Sequence, residues 1–449
     1  MKKVLLINSP IYDRKVADNE DYLPAFGLAY IATGLKDNNI DVKIIDAVYN
    51  NYTVVDLLNI IDKEMPGFVG VNIFSINFKL VKDLIEKCKA NTKFIVGSKS
   101  TRFLYKDIVN FKSKNEIIVT IGEGELITPD IVNDCVMQES IINSDNRKVY
   151  LVNNDSIYLP SNLDEIKLDR NFIKDRAIVN PYGQLEEAIV TSRECLYNCA
   201  FCGGARSLNG DVSVRCRSVQ NIEKELLDIS INNPETECIR ILDDLFLKNR
   251  KSIQDAILLF NKFNFHYRAM CHILSIKDSY DLLDELKNSG CLELEIGIES
   301  GSEKIRKLIH KAGSIQDIKI GIKKILDSGI NVKGYFMYGF LNENLEDALK
   351  TYSVAKELHD YSLNTKGKFK VSSFQFRPYH GTELYNKIGK SINYFHNDNL
   401  NELDGRQQFN FTAGNFSNYN EKTIEKLVIL TNNLNEGIIY EKNDNMSKM

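Results

Sequence analysis

No apolar run in this 449-residue chain approaches the roughly 20 residues that span a bilayer, so no transmembrane helix is expected. Tryptophan is absent, while Lys, Asn and Ile are abundant; we read this as genomic base bias and attach no function to it. No basic face dominates. The 57 Lys and Arg stand against 61 Asp and Glu, a formal net charge of -4, and give no reason to expect a nucleic-acid or membrane partner. A secretory signal is not expected either. MKKVLLINSP begins like one, but its apolar run ends at Ile7 and meets Asn8, Ser9 and Pro10, so it reads as a buried first strand. The nine cysteines are an odd count without a signal, which argues against a disulfide framework. The expectation is a soluble, cytoplasmic protein.

The length suggests two or three domains. In residues 1–136, five short apolar runs read as strands: 4–9, 42–47, 68–74, 93–98 and 116–121. Amphipathic stretches such as 27–38 and 79–90 lie between them. This order fits an α/β, doubly wound, Rossmann-like sheet of five parallel strands, with ligands at the carboxyl ends of the strands. Residues 137–184 are polar and irregular, with Pro160 and Pro181, and read as a connecting segment holding a small hairpin (149–152 with 156–159). Residues 185–389 give six strands: 187–191, 238–243, 267–273, 292–299, 332–338 and 371–377. Helical patterns separate them at 219–231, 253–263, 280–288, 315–327 and 345–359. Six β/α units make a partial (β/α)6 TIM-type barrel, whose chemistry belongs at the C-terminal strand ends. Residues 390–449 read as a short C-terminal segment with one helix (421–434), a frayed end, and a place at the barrel mouth.

Three of the cysteines crowd into eight residues. TSRECLYNCAFCGG sets Cys195, Cys199 and Cys202 in a C-x3-C-x2-C loop directly after the first barrel strand. Three thiolates can hold three irons of a cubane. A structural zinc site would want four ligands, and no fourth Cys or His stands at finger spacing; Cys216 is fourteen residues on. The plainer alternative is three buried core cysteines. Their spacing, position after a strand and following Gly203-Gly204 favour the cluster.

The segment resembles the radical S-adenosylmethionine (SAM) superfamily over about residues 187–377. The resemblance implies a [4Fe–4S] cluster on Cys195, Cys199 and Cys202, its fourth iron chelated by SAM, which one electron cleaves to a 5′-deoxyadenosyl radical. Phe201 matches the residue near the adenine, with Gly203 beside the cluster. In LEIGIESGSEKI, Glu299 and Ser300 match the family's GxES signature; Glu299 would accept hydrogen bonds from the SAM ribose or amine, against the alternative of a structural carboxylate. GYFMYGF resembles the adenine-contacting segment, although the usual GFPGET continuation has become Gly339-Phe340-Leu341-Asn342-Glu343-Asn344, which implies a reshaped loop. IRILDDLF places Asp243 and Asp244 for SAM-amine or substrate contact, with a helix-cap role open for Asp244. RPYHGTELY offers Arg377, Tyr379 and His380 toward substrate, against a structural role for the histidine.

The first domain resembles the cobalamin-binding domain of one large radical SAM class. PAFGLAYIATGL after strand one and IGEGE after strand five match that class's PPLGLAYLAA and GEGE segments. Its Gly-Gly-Pro-His-like loop has become VGSKSTR, so a Cβ at Ser98 narrows the path of the cobalamin tail. The Asp-x-His-x-x-Gly motif is absent, implying a corrin without a protein histidine on cobalt. Lining candidates are Asn8, Ser75, Ile76, Gly97, Ser98, Gly122 and Glu123.

The resemblance implies a cobalamin-dependent methyltransferase acting on an unactivated carbon, or on phosphorus, of a small-molecule or peptide substrate. The absence of a winged-helix leader-binding pattern favours the small molecule. An electron donor such as flavodoxin or ferredoxin is implied. The rivals are ring rearrangement, cyclisation or epimerisation by the same build, and a non-catalytic cluster- or corrin-sensing protein.

Overall fold

A computed structural model describes residues 2–11, 23–173, 178–389 and 414–436. The described residues belong to two compact units. The first draws on Met1–Arg176, Gly210–Ser213 and Tyr379–Thr412, the second on Ala177–Asn209, Val214–Pro378 and Ala413–Met449.

The first unit is built on β1 (Lys3–Asn8), β2 (Asp41–Asp46), β3 (Phe68–Asn72), β4 (Lys93–Ser98), β5 (Ile117–Ile121), β6 (Ile142–Ser144) and β7 (Arg147–Leu151). Their order in the sheet is β2-β1-β3-β4-β5-β7-β6. Both faces are covered. In β1, Leu5 and Ile7 join one core, while Val4 and Leu6 join the other. A parallel strand buried on both faces needs such a continuous apolar run. The order reverses between β1 and β3, and at such a switch point a crevice opens beyond the strand ends.

The expected five strands are a sheet of seven. Residues 147–151 do not turn back on 156–159. They pair parallel with β5 and antiparallel with the preceding β6. The 156–159 arm instead forms turns, anchored by a Tyr158 hydroxyl that donates to Asp130 at 2.7 Å.

The second unit continues with β8 (Ile178–Val179), β9 (Leu185–Ile189), the ribbon strands β10 (Ser192–Arg193) and β11 (Arg215–Cys216), then β12 (Cys238–Ile241), β13 (His266–Cys271), β14 (Cys291–Glu299), β15 (Asn331–Tyr338) and β16 (Phe369–Gln375). Six strands run parallel in the order β16-β15-β14-β13-β12-β9, with β8 antiparallel at the end, so the barrel is open. In β14, Leu294, Ile296 and Ile298 pack with Ile318 and Ile322 of the helix Ile315–Asp327, and Glu293, Glu295, Gly297 and Glu299 alternate onto the other face.

That other face carries buried charge. Arg268 meets Glu186 at 3.0 Å, Glu293 at 2.7 Å and Glu295 at 3.3 Å, and Tyr182 donates to Glu293 at 2.7 Å. Burial alone would lower the guanidinium's pKa. The three carboxylates outweigh it and hold Arg268 well above its ordinary value.

The helix Glu421–Asn432 lies along the edge strand β16. The Asn432 amide brackets the backbone of Ser373 (2.8 and 3.2 Å), and Asn435 does the same for Val371 (2.8 and 2.8 Å). These side chains satisfy ladder groups an open edge would expose. The expected mouth-closing stretch 390–413 and the frayed end lie outside the described residues.

Candidate functional site

The cysteine loop runs between β10 and β11, whose antiparallel pairing ties its ends together. Its entry is strained, since Glu194 adopts φ 72 without being glycine. Cys195, Cys199 and Cys202 are free thiols, each half-buried. The Tyr197 amide points at Cys195 Sγ (3.4 Å), the Gly204 amide points at Cys202 Sγ (3.4 Å), and a turn closes from Cys202 N to Cys199 O (3.1 Å). Burial pushes all three thiols up, Cys202 to about 11, and the Gly204 amide pulls against this. Without a metal they stay protonated, so metal binding would displace protons.

Among the described residues, no three His, Cys, Asp or Glu side chains converge on a position for a single ion. A cubane places each thiolate on its own iron and asks for no such convergence. Gly203 has no atom within 4 Å of the place a Cβ would take, which leaves open space beside Cys202. Three sulfur donors, amides aimed at two of them and clear space together fit an iron–sulfur cluster. Phe201 meets Phe340 edge-on at 6.1 Å, and Phe340 stacks on Phe376 at 4.9 Å.

Glu299 stands at the end of β14 with φ 67, where the register with β15 shifts. Strain of this kind persists only when its surroundings over-determine it. Here they do. Lys311 donates to Glu299 at 3.0 Å, and both side chains are only 9% exposed. A Cβ on Gly297 would lie 2.2 Å from Glu299 Oε1 and 2.7 Å from Lys311 Nζ, so the glycine makes room for the pair. Arg306 fixes the loop that carries Lys311, donating to the Ile298 carbonyl (2.6 Å), to Ala312 (2.9 Å) and to Gly313 (2.8 Å). The Ala200 amide, inside the cysteine loop, donates to Ile309 O at 3.0 Å. Burial works against the Lys311 ammonium, but Glu299 and then Cys199 outweigh it and raise its pKa.

Lys311, Arg306 and Gly297 were missed in the sequence, as was His272, whose ring stacks on Tyr197 at 4.0 Å. Burial, with Lys311 and Arg306 nearby, lowers His272 to about 3, so it is neutral. The single Gly before the Glu of GIES, Gly297, was the one signal that could have pointed to the Glu299 pocket.

Ser300 is fully buried away from this pair, its hydroxyl 3.1 Å from that of Thr351. Asp243 is also spoken for. It accepts from Thr191 N (2.7 Å), Thr191 Oγ1 (2.5 Å) and Ser192 Oγ (2.6 Å), tying the ends of β12 and β9 together. Burial raises its pKa against those bonds. Asp244 lies beside Gly204 and acts on Cys195 and Cys202.

The segment with Arg377, Tyr379 and His380 divides between the units: Arg377 is buried in the second, Tyr379 and His380 belong to the first. The Tyr379 carbonyl accepts from Thr382 Oγ1 at 2.8 Å, and Thr382 caps the helix Glu383–Ile388. His380 Nδ1 lies 2.7 Å from Ser75 Oγ, and burial lowers its pKa to about 4.

Other lining candidates of the first unit gather at strand ends. Asn8 donates to Asp46 (2.9 Å) and accepts from Asn72 (2.8 Å), across the switch point. Gly97 has open space where a Cβ would stand. The Ser98 hydroxyl donates to the Ile73 carbonyl, and its own φ is 157. Gly122 is required by φ 108 and by the Val152 carbonyl 2.3 Å from where a Cβ would be. Ile76 and Glu123 are half-buried in the loops after β3 and β5.

Residues 189–355 match the radical SAM superfamily. The chain is similar to an uncharacterized methyltransferase of Pyrococcus horikoshii, 26% identical over 381 residues, which are 81% of this chain and 78% of that one. In fold it is similar to the cobalamin-dependent SAM radical enzyme OxsB, with TM-score 0.66 and 16% identity over 93% of this chain. It spans 65% of that longer protein. It is also similar to the radical SAM methyltransferase TsrM of Kitasatospora setae, with TM-score 0.62 and 13% identity, over 87% of this chain and 76% of that one. The cysteine loop, the open parallel barrel that presents it and the matched segment lead to one conclusion: the chain carries a radical SAM domain over residues 189–355.

Proposed function

We propose that this enzyme is a cobalamin-dependent radical SAM methyltransferase, acting on an unactivated carbon or on phosphorus of a small-molecule or peptide substrate. The observation that carries the reading is the pairing, in one chain, of the three-thiol loop with a 2-1-3-4-5 sheet whose switch point is lined by Asn8 and Asn72, with open space at Gly97 near the end of the next strand, β4. An open switch-point crevice is where a sheet of this order takes a cofactor.

Cys195, Cys199 and Cys202 would hold a [4Fe–4S] cluster, and Phe201, Gly203 and Glu299 would border SAM. Asn8, Ser75, Ile76, Gly97, Ser98, Gly122 and Glu123 would border cobalamin. A bound cluster supplies the electron that cleaves SAM, and a bound corrin supplies a transferable methyl group. The chain's own part is to hold, orient and keep water out. Asp243 and Arg306 fix the strand ends behind the loop; Glu299 and Lys311 set its charge. The electron would come from a flavodoxin- or ferredoxin-type donor.

The test is incubation of the anaerobically reconstituted enzyme with cobalamin, a low-potential reductant and SAM labelled in its methyl group. Formation of 5′-deoxyadenosine together with label on the corrin supports the reading. Deoxyadenosine without corrin label points to the non-methylating alternatives, and neither product removes the radical reading altogether.

A further inference from the structure

Lys311 stands out among the buried charges near the site because no expected role claims it. Its ammonium is held by Glu299 at 3.0 Å. Two independent features keep it in place. The missing Cβ of Gly297 leaves its room, and the Arg306 guanidinium pins the loop on either side through Ile298, Ala312 and Gly313 carbonyls. The cysteine loop is anchored to the same stretch by the Ala200–Ile309 hydrogen bond of 3.0 Å. Lys311 is the cation acting most strongly on Cys199. A charge fixed this firmly in a water-poor setting interacts far more strongly than one on the surface.

We propose that Lys311 is a positioning residue whose fixed positive charge, set against Glu299, raises the reduction potential of the cluster carried by Cys199. The inference rests on the cluster reading above. The step concerned is a one-electron reduction, [4Fe–4S]2+ to [4Fe–4S]1+, with the electron arriving from an external flavodoxin- or ferredoxin-type donor. No bond is made or broken. The reduced cluster carries one more negative charge, so a neighbouring cation stabilises the reduced form and a neighbouring carboxylate disfavours it.

The experiment is an EPR-monitored redox titration of the reconstituted full-length protein without SAM, with iron and sulfide measured on each sample. Lys311→Met keeps the volume and removes the charge. Its potential should move negative by about 59 mV or more, a tenfold loss of reduced cluster at a fixed donor potential. Lys311→Arg should return toward wild type. Glu299→Gln should move the potential the opposite way. A general loosening of the site would not give shifts of opposite sign. Should the lone Glu299 carboxylate in Lys311→Met block cluster assembly, the double variant Lys311→Met/Glu299→Gln is compared with Glu299→Gln alone, and the same negative shift is expected. Cluster-replete variants with unchanged potentials, or shifts of the same sign, overturn the inference. Absence of a cluster from the wild type would instead overturn the cluster reading itself.

Discussion

Arg268→Met tests the energetics of the charged face of the barrel sheet. The guanidinium is 3% exposed and contacts Glu186, Glu293 and Glu295, which are 2%, 1% and 4% exposed. Methionine fills similar volume but leaves the carboxylates without their central cation. Removing one partner of a buried ion pair costs about 3–5 kcal/mol, because the other charge stays buried. In a unit of this size each kcal/mol lowers Tm by roughly 2–4 °C, so the expected fall is about 6–20 °C. The assay is thermal unfolding of the apo chain by circular dichroism at neutral pH. The pH dependence adds a second check. Burial raises the Glu293 pKa, but Arg268 and Lys333 outweigh it and hold it below its ordinary value. A depressed carboxylate contributes stability that is present above the unfolded pKa and lost as pH falls through the folded one. In the variant that sign reverses for Glu293: without the guanidinium, burial lifts its carboxyl above its unfolded value, and the penalty eases as it takes up a proton. The gap between wild type and variant should therefore narrow from pH 7 towards about pH 4.5. A Tm unchanged at neutral pH, or a gap that widens on acidification, would refute the reasoning.

Cys199→Ala should reduce 5′-deoxyadenosine formation to the detection limit while corrin binding persists, read by product chromatography and visible spectra. Retained deoxyadenosine would sink the cluster assignment. Gly97→Val fills the open space at the end of β4 and should weaken cobalamin binding at least about tenfold, with iron content unchanged. Glu343 is fully buried and accepts from the Gly339 amide (2.6 Å) and the Tyr419 hydroxyl (2.7 Å); burial lifts its pKa to about 7. A raised carboxylate contributes stability that is full below its unfolded value and lost as pH rises through the folded one, so wild type should lose up to about 3 kcal/mol relative to Glu343→Gln between pH 4.5 and 8. Denaturant titrations at the two pH values check it, and parallel stabilities would contradict it.

The strands of both sheets were legible because parallel strands covered by helices must be short apolar runs, and the helix at residues 315–327 was read to the residue. β6 was not legible: Ile142–Ser144 is three residues of mixed polarity, and nothing local says that β7 will join β5 in parallel. The cysteine loop was plain from spacing alone. Lys311 and Arg306 were not, because a lysine after a short helix looks like any surface lysine until the fold buries it against Glu299. The Arg268 network was hidden for a related reason. Glu293 and Glu295 alternate with Leu294 and Ile296, a pattern that ordinarily marks a strand with one face in water, whereas here both faces are covered. His380 read as a barrel residue from its place after the last strand, yet its partner Ser75 is 305 residues away.

The most direct measurement of the central claim is metal and corrin content after anaerobic purification with cobalamin supplied, combined with visible and EPR spectra. The account predicts about four irons and four sulfides per chain, a [4Fe–4S] signal on reduction that disappears in Cys199→Ala, and about one corrin. A protein that takes up neither iron–sulfur nor corrin would contradict it; a cluster without corrin would keep the radical chemistry and remove the methyltransferase reading.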